Sequence, residues 1–407
     1  MSALRDPLPL NRGAALPNRL VKSAMSEAMG TRDHRISSAL IALYRRWAQG
    51  GTGLLITGNV MIDRRALGEP GNVVIEDDRD LPLLRRWAQA AQDQGSRIWM
   101  QINHPGRQSP RGLNVQNHAP SAVPFGPRMR AFFDTPRALD EAHIHDIIQR
   151  FATTAALAQE AGFDGVQIHG AHGYLVSQFL SPLTNRRDDD WGGSADNRRR
   201  FVREVFAAMR KATGDDFPIG IKLNSADFQR GGFSEEESLA VIRDLAGDGL
   251  DMLEISGGTY EAPAMAGLKA STRAREAYFL DFADQVRQHT DIPLLVTGGF
   301  RTVRGMQDAL ASGSLDLIGL GRLLAIEPDA AHRLLQGHDP LERVAPITTG
   351  LAPIDKAGVM EVAWYTRQLH RMGNGREPQP RESALKSLAL NVLQNAVGMR
   401  EVRRLRA

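Results

Sequence analysis

The sequence is constrained most by a regular alternation of short apolar segments with longer segments of helical periodicity. The apolar segments predicted to be strands are Leu20–Ser23, Gly53–Thr57, Arg97–Ile102, Val166–Ile168, Ile219–Leu223, Met252–Ile255, Leu294–Val296 and Leu315–Leu320. The helical patterns that follow them are Ser37–Gln49, Leu81–Gln94, Ile144–Ala161, Asp196–Met209, Glu236–Leu245, Ala277–Val286, Val303–Leu310 and Pro328–Leu335. Strands this short and apolar are typical of a parallel sheet that is covered on its faces. Eight such units favour an α/β fold, the (β/α)8 TIM barrel, over an open doubly wound sheet, and we predict that the barrel occupies residues 1–335.

Polar residues and glycines collect at the carboxyl ends of the predicted strands. They are Ser26, Thr57, Gly58, Asn59, Gln101, Asn103, His104, His169, His172, Tyr174, Lys222, Asn224, Ser256, Gly257, Gly258, Gly298, Gly299, Gly321 and Arg322. The active site of a TIM barrel is built from the loops at this end of the strands. The composition suits a large, flat, partly anionic ligand, and we expect these residues to surround it.

The densest group of reactive side chains follows the fourth predicted strand, where His169, His172 and Tyr174 lie within six residues. The residues between them are glycine or alanine, which allow other groups to approach closely. Two histidines three residues apart can also bind zinc. No carboxylate or third histidine stands beside this pair, so we predict no metal and a site that handles protons.

A second group predicts a phosphate site. Thr297–Gly298–Gly299 follow the seventh predicted strand and Gly321–Arg322 follow the eighth. Together they offer closely approachable backbone N–H groups and a cation, at the end of the barrel where phosphate commonly binds. FMN and a phosphorylated substrate both satisfy this pattern.

The composition narrows the chemistry. The chain has 407 residues, of which 42% are hydrophobic and 24% charged, as in an ordinary globular protein. It has no cysteine, which excludes disulfides and Cys-ligated iron–sulfur clusters, so redox chemistry requires a bound organic cofactor or a metal held by other ligands.

The net charge of +3 is spread along the chain, which argues against a nucleic-acid partner. No segment approaches the about 18 apolar residues of a membrane span, and we expect a soluble cytoplasmic protein with no membrane partner.

Two regions depart from the alternation. Pro105–Pro136 is a long connection rich in Pro, Gly and Arg, which we expect to fold over the site as a flap. Residues 336–407 are predicted to be a linker and a helical extension with helices near Val359–Met372 and Leu385–Val397. Two roles are open for these helices. They either pack on the barrel or form the subunit interface of a homo-oligomer.

The run HGAHGYLVSQFLSPLTNRRDDDWGGSADNRRRF, which begins at His169, resembles the signature block of the Old Yellow Enzyme family of FMN-dependent ene-reductases. Further segments match the family in the expected order, namely Asn18–Ser23, Gln101–Arg107, Thr297–Phe300 and Gly319–Arg322. The resemblance covers roughly residues 5 to 335. It implies a TIM barrel, FMN as cofactor and NADH or NADPH as reductant. The substrate it implies is a small α,β-unsaturated carbonyl compound, an enone or enal.

The resemblance also implies roles for particular residues. The positions expected to bind the flavin are Ser26, Gly58, Gln101, Lys222, Gly298, Gly299, Gly321 and Arg322. Lys222 stands where the family commonly has arginine, so that a point charge replaces a planar fork. His169 and His172 are expected to hold the substrate carbonyl, and Tyr174 to protonate the α carbon.

Two other functions are compatible with the sequence. A barrel that binds a phosphorylated metabolite could act as a lyase or isomerase, with Lys222 as Schiff-base or general-base residue. A flavin-binding barrel without catalytic activity is the other alternative. Flavin colour excludes the lyase, and enone-dependent oxidation of NAD(P)H excludes the inactive flavoprotein.

Overall fold

The structure, a computed structural model, describes residues 3–259, 261–262, 279–350 and 359–406. Within these ranges eight parallel strands close into a barrel, because each strand pairs with the next and the eighth pairs back with the first. The barrel strands are β1 (Leu20–Lys22), β2 (Leu54–Ile56), β3 (Arg97–Asn103), β4 (Gly165–Gly170), β5 (Ile219–Asn224), β6 (Met252–Ser256), β7 (Leu294–Thr297) and β8 (Leu317–Leu320). The predicted (β/α)8 barrel is confirmed.

Two short 3-10 turns lie at Ala3–Arg5 and Asp78–Asp80. The other helices are α-helices. The helices are α1 (Ser38–Gln49), α2 (Leu81–Gln92), α3 (Glu141–Glu160), α4 (Leu175–Leu180), α5 (Ala195–Thr213), α6 (Glu235–Gly247), α7 (Leu280–Arg287), α8 (Val303–Ala311), α9 (Arg322–Ile326), α10 (Ala330–Leu335), α11 (Val359–Gly373) and α12 (Ala384–Arg406). Several begin at side-chain caps, as where Ser37 accepts a hydrogen bond from the backbone N–H of Leu40. The predicted helix Ala277–Val286 falls partly outside the described residues, and its described part begins at Leu280. No helix in the described part of the chain is both long and apolar enough to cross a membrane.

The lower part of the barrel interior is apolar. Buried side chains from several strands form one cluster there, with Trp99 as its largest member. Two glycines leave the space for this indole, because a Cβ added at Gly165 or Gly220 would lie 2.5 or 2.9 Å from it. Side chains alternate in direction along a strand, so the residues two positions further along point into the same interior, closer to the mouth. These next positions are largely polar, and the site is built on them.

The predicted flap is anchored to the loop and helix after β4. Residues 105–136 lack helices, and a short strand within them, His118–Ala119, pairs with Arg137–Ala138. Gln178 Nε2 of α4 donates to Pro105 O at 3.1 Å and to Gly173 O at 2.7 Å. The flap therefore contacts the segment that carries Tyr174.

The two C-terminal helices differ in their packing. Trp364, Tyr365, Leu369 and Met372 of α11 are buried in the main hydrophobic core, so this helix packs on the barrel, one of its two predicted roles. Helix α12 continues past its predicted end at Val397 to Arg406, and its middle is exposed. A subunit interface through α12, like the domain boundary after residue 335, stays a prediction.

Candidate active site

The mouth of the barrel brings His169, His172 and Tyr174 together. The His169 ring lies 5.3 Å from the His172 ring and 4.7 Å from the Tyr174 ring, measured between centroids, and both contacts are edge-to-face. His169 ends the inward-facing row of β4, while His172 lies in the following loop with a left-handed backbone, φ +60°. This strained turn directs the second imidazole back toward the first. The structure therefore brings together the three side chains that the sequence predicted to form one group.

Both imidazoles are neutral at physiological pH. Burial, with the charges of His172 and Lys222, holds the pKa of His169 well below its usual range. Burial and then the Lys222 charge lower the pKa of His172 to about 3. His169 Nδ1 accepts the backbone N–H of Ala171 at 3.3 Å, so its ring proton is on Nε2. His172 Nε2 is 2.6 Å from Ser256 Oγ, which leaves its Nδ1 for another partner.

Tyr174 lies at the start of the short helix α4 and is buried, with 8% of its surface exposed. Asn59 Nδ2 donates to its hydroxyl oxygen over 3.5 Å, across the mouth from the loop after β2. The phenol therefore stands at the rim of the same opening as the histidines. The sequence did not predict α4, since its apolar run lacks a side-chain cap.

A polar layer lies directly above the apolar floor and contains two predicted flavin-binding residues, Gln101 and Lys222. Gln101 Nε2 donates to Gln167 Oε1 at 2.7 Å, and Gln167 Nε2 donates to Glu254 Oε2 at 2.8 Å. Lys222 Nζ forms a buried ion pair with Glu254 Oε1 at 2.9 Å. The two residues are therefore connected through a single carboxylate.

The layer continues across β7 and β1. Thr297 Oγ1 donates to Glu254 Oε1 at 2.7 Å and lies 2.6 Å from Ser23 Oγ. Gly319 of β8 leaves room for this contact, because a Cβ there would be 2.0 Å from Thr297 Oγ1. The sequence analysis did not select Glu254 or Gln167. The available signal was a polar residue at an inward position of an otherwise apolar strand.

Ser26 and Gly58 lie beside a second group of buried charges. The Ser26 hydroxyl donates to Glu69, and burial together with the charge of Glu27 raises the pKa of Glu69 to about 7. The backbone N–H of Gly58 donates to Glu27 Oε1 at 3.0 Å, and a Cβ at this glycine would lie 1.9 Å from Glu27 Oε2. Only glycine fits there. The Glu27 carboxylate also pairs with Lys22 at 3.3 Å.

The predicted phosphate residues leave neighbouring strands. Gly298 and Gly299 have φ values of +119° and +89°, in the region that only glycine adopts readily. Thr297 is in register with Gly319, so the loops after β7 and β8 start side by side. Arg322, which opens α9, pairs with Glu361 of α11 at 2.8 Å. The arginine expected to bind phosphate thus contacts the C-terminal extension.

The mouth fits a flat cofactor with several hydrogen-bonding edges. Asn103 is fully buried at the end of β3, and neither its amide nitrogen nor its amide oxygen has a partner among the described residues. The same holds for Asn59 Oδ1. Buried amides without partners indicate a ligand that completes them. In the described part of the chain no three His, Asp or Glu side chains are grouped as metal ligands would be.

Comparison with known proteins agrees with this geometry. The model of the NADH:flavin oxidoreductase / NADH oxidase family matches residues 4–340. An NADH-dependent flavin oxidoreductase of Hypocrea jecorina, iliE, is 35% identical over 389 residues, which are 89% of this chain and 94% of the relative.

Solved structures share the fold. The old yellow enzyme homologue from Zymomonas mobilis superposes with a TM-score of 0.70 and 25% identity, over 84% of this chain and 95% of its own. A 2-naphthoyl-CoA reductase complex has a TM-score of 0.77 and 25% identity over 83% of this chain, which spans 52% of that longer chain. The expected cofactor FMN and the reductant NADH or NADPH are confirmed at the level of the family. The protein is therefore an oxidoreductase that belongs to the NADH:flavin oxidoreductase / NADH oxidase family, of the Old Yellow Enzyme type.

Proposed function

We propose that this oxidoreductase reduces the C=C bond of α,β-unsaturated carbonyl compounds. The observation that carries the proposal is the neutral imidazole pair, His169 and His172, beside a phenol at the mouth of the barrel. Three neutral groups that can donate hydrogen bonds suit a substrate oxygen that gains negative charge during the reaction. When bound, FMN would supply the chemistry as a hydride from its N5 to the β carbon of the substrate.

The histidines would bind the substrate carbonyl. His169 has its Nε2–H available, because its Nδ1 already accepts the N–H of Ala171. His172 has Nδ1 available when Ser256 donates its hydroxyl hydrogen to Nε2. Two such N–H donors stabilise an enolate-like oxygen, and one donor is typically worth about 2.7–4 kcal/mol.

Tyr174 would protonate the α carbon. Its hydroxyl carries a proton at neutral pH, and its ring packs 4.7 Å from the His169 ring, so it lies beside any carbonyl held by the histidines. Asn59 Nδ2 donates to the phenol oxygen over 3.5 Å. The same hydrogen bond stabilises the phenolate that forms on transfer.

Substitution of the histidines tests the carbonyl site. We expect His169→Ala and His172→Ala to retain flavin and each to reduce the rate of enone reduction by about a hundredfold or more. Flavin reduction by NAD(P)H should change much less. Chelators should have no effect; loss of activity on chelation, restored by zinc, would instead identify the pair as metal ligands.

Tyr174→Phe tests the proton donor while keeping the ring. Flavin reduction by NAD(P)H should be unchanged, and reoxidation by an unactivated enone should slow by about tenfold or more. Reoxidation at the parental rate in a stopped-flow experiment would show that water delivers the proton. An enzyme that oxidises NAD(P)H without any dependence on added enone would contradict the whole proposal.

The lyase alternative has no observation in its favour. Lys222 would need a free amine to form a Schiff base, whereas its ammonium is buried in an ion pair with Glu254 at 2.9 Å. The inactive flavoprotein remains the relevant contrast, and the enone-dependent oxidation of NAD(P)H separates it from the proposed enzyme.

A further inference from the structure

Glu254 is a fully buried carboxylate inside the barrel, and neither hydride transfer nor protonation makes use of it. It lies on β6, with none of its surface exposed, and receives hydrogen bonds from β4, β5 and β7. The donors are Gln167 Nε2 at 2.8 Å, Lys222 Nζ at 2.9 Å and Thr297 Oγ1 at 2.7 Å. A buried charge is costly even when it is paired, so its position at the base of the site calls for a functional explanation.

We propose that Glu254 is a positioning residue for the flavin. Its carboxylate holds Lys222 directly and Gln101 through Gln167, and its negative charge lowers the flavin reduction potential by offsetting part of the Lys222 charge. The inference rests on the proposed function, because it takes Gln101 and Lys222 as partners of the flavin ring.

The charge argument follows from the ion pair. A cation near the flavin N1 and O2 stabilises the reduced cofactor, on which negative charge gathers. Lys222 is the cation at this place in the barrel, and Glu254 lies within hydrogen-bond distance of it. A carboxylate this close cancels much of the potential that the ammonium produces at the ring. A bound flavin would therefore experience a dipole rather than a full positive charge.

The orientation argument follows from the order of donors and acceptors. An ionised carboxylate only accepts hydrogen bonds, so Gln167 must turn its amide nitrogen toward Glu254. Its amide oxygen then faces Gln101 and accepts from Gln101 Nε2 at 2.7 Å. One hydrogen of Gln101 is thereby occupied. Its carbonyl oxygen and second amide hydrogen remain for a ligand that offers both a donor and an acceptor, as a flavin pyrimidine edge does.

Glu254→Gln tests the charge. In the FMN-loaded protein we expect the midpoint potential, measured by dye equilibration, to become more positive by about 30 mV or more, which is a tenfold change for a two-electron couple. The matched control is Asp251→Asn, which removes another fully buried carboxylate at the residue just before β6, where it pairs with Arg12 and Arg210. This control should lose stability without a shift in potential. An unchanged or more negative potential in Glu254→Gln would overturn the charge argument.

Gln167→Met tests the orientation and keeps the inference falsifiable if Glu254→Gln folds poorly. The substitution removes the hydrogen bonds of Gln167 to Gln101 and to Glu254 but leaves the Lys222–Glu254 ion pair. We expect FMN to bind the apoprotein about tenfold more weakly, as measured by quenching of flavin fluorescence, with the midpoint potential unchanged. Parental affinity would overturn the orientation argument. A parent protein that binds FMN but never reduces an enone would instead contradict the proposed function and leave both measurements valid.

Discussion

The two cations predicted to bind the cofactor, Lys222 and Arg322, are each paired with a glutamate, but in different surroundings. The Lys222–Glu254 pair is enclosed by the barrel, with side-chain exposures of 5% and 0%. The Arg322–Glu361 pair is partly open, at 29% and 38%, and joins the barrel to a helix of the C-terminal extension. The first pair depends only on strand pairing. The second depends on how α11 packs.

This difference indicates which part of the site is fixed by the fold. Glu254 has three donors from three strands, so the ring end of the predicted flavin site cannot move without opening the barrel. In the described part of the chain Arg322 pairs with one partly exposed carboxylate, that of Glu361, and its guanidinium has further N–H donors for an anion. The phosphate end is therefore the more adjustable half of the site.

The largest expected effect is on stability when the enclosed pair is broken. Lys222→Met leaves the Glu254 carboxylate buried without its counter-charge, and we expect the free energy of unfolding to fall by about 3–5 kcal/mol. Arg322→Met should lower it by less than about 1 kcal/mol, as is usual for exposed pairs. Urea unfolding of both variants checks the comparison. Equal losses in the free energy of unfolding would show that the two ion pairs contribute equally to stability despite their different burial.

A second prediction concerns retention of the cofactor. Arg322→Ala should weaken FMN binding by about tenfold or more, because charge-assisted hydrogen bonds to a phosphate contribute about 1.5–3 kcal/mol. Titration of the apoprotein with FMN measures this change, and the cofactor extracted from the parent should be FMN rather than FAD. Undiminished affinity would place the phosphate elsewhere.

A third prediction concerns the pH dependence of the histidines. Lys222 contributes, after burial, to the low pKa of His172, about 3, so Lys222→Met should raise that pKa and Arg322→Met should not. A depressed pKa means that the folded protein binds fewer protons than the unfolded chain between the ordinary value, 6.5, and about 3. Keeping His172 neutral in the folded protein therefore costs nothing above pH 6.5. The free energy of unfolding falls as the pH decreases from 6.5 toward 3, because the unfolded chain then binds a proton that the folded protein does not. NMR titration of the ring protons reports the shift, and identical titrations in both variants would contradict it.

The smallest expected effect is that of Glu361→Gln. We expect the free energy of unfolding to change by about 0.5 kcal/mol or less and FMN affinity to change by less than about threefold. A change of about tenfold in affinity would mean that the extension controls the site, and the contrast between the two pairs would no longer hold.

Local sequence patterns predicted much of this molecule. The eight strands were predicted from short apolar segments, and His169, His172 and Tyr174 from their separation by glycine and alanine. Lys222 could be selected because it stands at a strand end in a parallel barrel. Glu254 was not selected: the sequence marks it only as a charged residue within an apolar strand, and its role depends on donors from β4, β5 and β7 that barrel closure brings together.

Other features were missed for similar physical reasons. Arg322 and Glu361 are far apart in the chain and meet only because α11 packs on the barrel. The sequence predicts this helix but not the position at which it packs. Glu69 reaches Ser26 through a loop whose path the sequence does not determine. Helix α4 lies in an apolar run that reads equally well as a strand, and its fully buried environment decides the outcome.

Trp99 and its apolar neighbours seal the barrel below the polar layer, so reductant and substrate reach the site from the same side. In the proposed reaction the nicotinamide and the alkene would compete for one surface. Turnover would then alternate, with the oxidised nucleotide departing before the alkene enters. We would expect a steady-state rate law of the substituted-enzyme (ping-pong) form, with inhibition by an excess of either reactant.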